Sequence, residues 1–107
     1  MDFNINEVIA DMANAIKTTV SEDWNSVKED VSSFLTDRKS RLELLADMRI
    51  KNEIDQVFFE KRLKDEKDMI ASELHSLTLI SKVIAQNAAN AAIDVLTKAI
   101  TSALKIL

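Results

Sequence analysis

Not one glycine or proline occurs among these 107 residues. An average chain of this length carries about a dozen. Glycine supplies backbone with positive φ, and proline fixes sharp corners and ends helices. Without either, tight hairpins and strand-edge turns lose their usual residues. The fold class that follows is all-α: a long antiparallel helical hairpin, or coiled-coil-like bundle, with a short N-terminal helix.

The same absence narrows the chemistry. Phosphate-cradling loops and strained nucleophile turns depend on glycine. There is no cysteine, so disulfides and thiolate metal sites are excluded. The serines fall in helical stretches or at helix starts. We therefore expect no enzyme and no cofactor.

The formal net charge of −4 is unevenly spread. Residues 1–36 carry −5, residues 37–68 carry none, and residues 69–107 carry +1. The acidic first third repels nucleic acid and anionic lipid. Arg38-Lys39-Ser40-Arg41 is the one basic cluster. Asp37 and Glu43 flank it, and the five aromatics do not interleave with bases, so nucleic acid is not an expected partner. The first residues are acidic and lack an apolar run, unlike a cleavable signal. No charge-free stretch of about 18 residues exists to span a membrane. A cytoplasmic location is the default expectation.

Along the chain, Asn4-Ile5-Asn6-Glu7 has the form of a capping box, with Phe3 and Val8 placed as a hydrophobic staple. Val8, Ile9, Met12, Ile16 and Val20 then form one apolar stripe. Thr19-Val20-Ser21-Glu22 repeats the box. We read a first helix over about 5–18 and a break before residue 20. A long helix follows over about 20–64, with the wholly polar stretch 36–41 as a candidate break near 36–40. Ser40-Arg41-Leu42-Glu43 is a third box there. Lys64-Asp65-Glu66-Lys67-Asp68 is read as the hairpin turn, with Asp65 or Asp68 capping a final helix over about 69–106. All of this reads as one helical domain over 1–107.

That final helix is the most apolar. Lys82, Gln86, Asn90, Asp94, Lys98, Thr101 and Lys105 form a narrow polar ribbon, and most other positions are apolar or small. A helix apolar over most of its circumference needs burial on several sides. One neighbour covers one stripe, so the expectation is a homo-oligomer. Leu77, Ile84, Ala88, Ala92, Val95, Ala99 and Leu104 are its candidate interface. The proposed role is structural, through protein–protein interaction.

Two alternatives compete. The amphipathic last helix also suits a membrane surface or a pore. A second protein is a further possible partner. The other alternative is a carboxylate-bridged metal site, because Glu53 and Glu60, and Glu66 and Glu73, are seven apart. His75 is the lone histidine, and no Glu-x-x-His of the di-metal bundles is present. These five are weak candidates, since acids three or four residues from a base usually pair with it. Phe58-Phe59 poses its own question. Adjacent helical residues diverge by about 100°, so either the helix is packed on two sides or one ring meets a partner.

Overall fold

The computed structural model describes residues 3–77 and 79–106, the last two without their side chains. Leu107 lies outside the described residues. The fold is an all-α bundle, with no strand among the described residues. Helix α1 runs Ile5–Val20, and a 3-10 turn over Ser21–Asp23 leads into α2, Trp24–Ile50. Helix α3 is Gln56–His75 and α4 is Lys82–Ile106.

Helix α1 begins as its sequence suggests. The Asn4 side chain accepts from the backbone N–H groups of Asn6 (2.9 Å) and Glu7 (3.3 Å). Its apolar stripe of Ile5, Val8, Met12, Ile16 and Val20 is buried. At about 1.5–3 kcal/mol per buried side chain, that face contributes on the order of 10 kcal/mol, an upper figure.

The break near residue 20 is real and sharp. Helical residues run from Ile5 to Ile50, 46 in all. Straight, they would span about 69 Å, yet the molecule is 41 Å long. Ser21 supplies the corner with φ 58° and ψ −119°, a region that glycine enters most easily. The Thr19 hydroxyl does not cap the next helix; it donates to the Ala15 carbonyl within α1 (3.0 Å).

The two polar stretches read as breaks are not breaks. Residues 36–41 lie inside α2, and residues 64–68 lie inside α3. Ser40, Asp65 and Asp68 therefore cap nothing. The chain turns instead at residues 51–55 and 76–81. At the first, Asn52 takes φ 60°. The N–H of Asn52 donates to the Arg49 carbonyl (3.1 Å), and that of Glu53 to the Met48 carbonyl (2.8 Å). This is a Schellman motif, which normally uses glycine at the left-handed position and accepts asparagine as second choice. Asp55 then caps α3, accepting from the Phe58 N–H at 2.8 Å. At the second turn Ser81 caps α4, accepting from the Ile84 N–H at 3.2 Å.

The long hairpin of 20–64 against 69–106 is thus replaced by three helices, with α2 and α3 antiparallel. Cross-contacts fix their register: Arg49 donates to Gln56, and Arg41 lies beside Glu66. Helix α4 packs most extensively against α1 and α3. Ala85, Ala88, Ala89, Ala92 and Ala103 are buried there, and such small side chains let backbones come near enough for dense dispersion contact.

Candidate functional site

Lys82, Gln86, Asn90, Asp94, Lys98 and Thr101 are exposed, so the narrow polar ribbon of α4 faces outward. Most of the remaining described positions of α4 are covered by its own chain, but Val83 is 66% exposed. Ala88 and Ala92 are fully buried, and Leu77, Ile84, Val95, Ala99 and Leu104 pack half-buried against the same core. Other copies are therefore not needed to cover most of the described apolar side of α4. The chain folds back twice, and α1 and α3 supply the flanking surfaces. Among the described residues no helix is long and apolar enough to cross a membrane. Membrane contact through the apolar faces of α4 requires it to leave α1 and α3.

The five candidate metal residues are scattered. Glu53 lies exposed in the first turn, Glu60 is exposed on α3, and His75 is exposed at the end of α3. Among the described residues no three acids or histidines come together to hold a metal ion. Glu66 and Glu73 belong to a different constellation.

Glu66 is 2% exposed, the one buried charged residue among those described. Two arginines of α2 approach it. Arg41 Nη2 lies 3.4 Å from Oε1, and Arg38 Nη1 lies 3.9 Å from Oε2. Arg38 also reaches Glu73 at 3.7 Å and donates to the Met69 sulfur at 3.7 Å. The polar stretch 36–41 of α2 thus faces the polar stretch 64–68 of α3. Only Glu66 of the second stretch meets Arg38 and Arg41; Lys64, Lys67 and Asp68 line the side of α3 toward α4. The separations exceed those of good charge-assisted hydrogen bonds. Arg38 Nε and Glu66 Oε2 are buried without a hydrogen-bond partner among the described residues. For a buried pair so loosely satisfied, desolvation offsets much of the attraction.

No family model, curated protein or solved structure matches this chain. Function must be read from its own surface.

Two surface features stand out. The first lies at the α2–α3 turn. Phe59 is buried, with the Arg49 guanidinium 5.9 Å above its ring. Phe58 is 48% exposed and Val57 is 76% exposed. Of the two readings of the phenylalanine pair, one ring inside and one outside is the arrangement found. Exposed Leu44 on α2 lies toward the same end, one turn before the level of Phe58 in the register set by Arg49 and Gln56.

The second feature is a cleft of about 470 Å³ between α3 and α4. Lys64, Lys67 and His75 line it from α3, and Lys82, Gln86 and Asn90 from α4. Lys64 is paired with Asp68 at 3.1 Å. Sequence reading assigned Lys82, Gln86 and Asn90 to a solvated ribbon. It missed that Lys67, Ala71 and His75 recur at four-residue steps on α3 and so can face that ribbon across an antiparallel pair.

Proposed function

We propose that this is a non-enzymatic interaction protein that self-associates through the apolar corner at the α2–α3 turn, not through α4. The observation that carries the reading is the exposure of consecutive Val57 and Phe58 beside a buried Phe59. Charge favours a second copy as the occupant. Residues 37–68, which hold this corner, carry no net charge, whereas residues 1–36 carry −5 and repel their like.

Magnitude decides the kind of assembly. Burying the exposed parts of Val57 and Phe58 gives about 3 kcal/mol per copy, so about 6 kcal/mol for a two-fold contact. Association costs roughly 4–15 kcal/mol in lost freedom. The expected dimer is therefore weak, with dissociation in the millimolar range. A permanent oligomer is not expected.

Sedimentation equilibrium from 10 µM to 1 mM tests it. Wild type is expected to shift toward dimer, and Phe58→Glu to stay monomeric with an unchanged circular dichroism spectrum. Wild type that remains monomeric at 1 mM removes the proposal.

A further inference from the structure

We infer that the α3–α4 cleft is a binding site for a small phosphorylated anion. Its volume of about 470 Å³ falls within the roughly 300–1,000 Å³ of small-molecule sites. Its walls are rich in donors. Lys64, Lys67 and Lys82 carry ammonium groups, Gln86 and Asn90 carry amide N–H groups, and Ser72 carries a hydroxyl. Asp68 is the one carboxylate of the lining, and Lys64 already neutralises it at 3.1 Å. Lys67 and Lys82 have no carboxylate within 4.0 Å among the described residues. Two cations thus face one cleft with nothing to balance them.

The helix termini do not decide the sign. Helix α3 ends where α4 begins, so a negative and a positive helix end meet at one mouth and offset each other. Side chains set the potential. The first turn of α4 holds no acid, so Lys82 keeps its full effect there. Ala71 leaves space on the floor, where a longer side chain would fill it. Lysine ammonium groups act as point charges, and several of them around one cleft suit a compact, multiply charged anion such as phosphate. The lining has three lysines and no arginine. On a chain of net charge −4, this cleft holds three lysines against one carboxylate.

The test is an ¹⁵N–¹H titration of the full chain with inorganic pyrophosphate at 50 mM salt, with citrate as the carboxylate arm. Saturating shifts in the Gln86 and Asn90 side-chain amides are expected with pyrophosphate, and at least tenfold weaker binding with citrate. Lys67→Glu/Lys82→Glu is expected to weaken pyrophosphate at least tenfold. Lys82 is exposed, so Lys82→Glu alone, which leaves packing intact, is expected to weaken it at least threefold. Lys28→Glu, on α2, is expected to leave it unchanged. Absence of saturable shifts to 10 mM, equal loss in the Lys28→Glu control, or equal binding of citrate would each overturn the inference.

Discussion

Replacing Arg38 by methionine isolates the energetics of the α2–α3 seam. The methionine keeps much of the stem packing and removes the charge. In wild type, Arg38 lies 3.9 Å from a carboxylate that is 2% exposed, and is itself 12% exposed. At an effective dielectric of about 20, that separation corresponds to about 4 kcal/mol of attraction. Arg41 is closer, but its side chain is 52% exposed, so solvent screening reduces its share to about 1 kcal/mol or less. Arg38→Met therefore leaves Glu66 buried with a poor partner, and a loss of about 3 kcal/mol is expected. A domain of this size has roughly 5–15 kcal/mol of stability in total, so the variant stays folded but unfolds at visibly lower denaturant. The double variant Arg38→Met/Glu66→Leu removes the buried carboxylate too. Because the native pair is long and incompletely hydrogen-bonded, the double variant is expected within about 1 kcal/mol of wild type, or above it. Urea unfolding of wild type, both single variants and the double, followed by circular dichroism and by Trp24 fluorescence, gives the coupling energy directly. Two results refute the reasoning: Arg38→Met within 0.5 kcal/mol of wild type, or a double variant whose loss equals the sum of the singles.

Further outcomes follow from the backbone and core. Ser21→Gly relieves the strain of φ 58° and, after glycine's own entropy cost, is expected to raise stability by about 1 kcal/mol, or several degrees in Tm. Asn52→Val places a β-branched residue in the left-handed position of the Schellman turn and is expected to cost about 1–2 kcal/mol in urea unfolding, while Asn52→Gly costs nothing. Ala88→Leu forces bulk between closely approaching helices and is expected to cost about 1–3 kcal/mol by thermal melting. Ala88→Glu, which on the α4-interface reading would split an oligomer, is expected instead to unfold the single chain, seen as lost helical signal at micromolar concentration.

Much of the fold was legible in the sequence. The missing glycine and proline gave the class, the Asn4 box and its stripe gave α1, and the ribbon from Lys82 to Thr101 gave the outward face of α4. The turns misled because a polar run has two physical meanings. Arg38, Arg41 and Glu66 are polar because they answer one another across an interface, and a single sequence shows only one side of that pairing. The real turns rest on Asn52, Asp55 and Ser81, all of which carry recognisable chemistry. They were passed over because the apolar residues around them, Ile50, Ile54 and Ile80, continue to bury. The candidate surfaces were less legible. The exposure of Phe58 and the facing of α3 and α4 depend on where helices begin, and a shift of a few residues rotates every side chain to another face.

The position of α4 also sets a clock. Its partner α1 ends at Val20, and α4 runs Lys82–Ile106. About 60–85 residues must therefore be made before α1 can meet the helix it packs against most extensively. At roughly 5–20 residues per second, that wait is on the order of 3–17 s. Throughout it, the stripe of Val8, Met12 and Ile16 has no α4 to lie on. Of the seven acids of the first third, Glu7 and Asp11 lie on α1 itself. Like charge on neighbouring nascent chains opposes their meeting through the uncovered stripe.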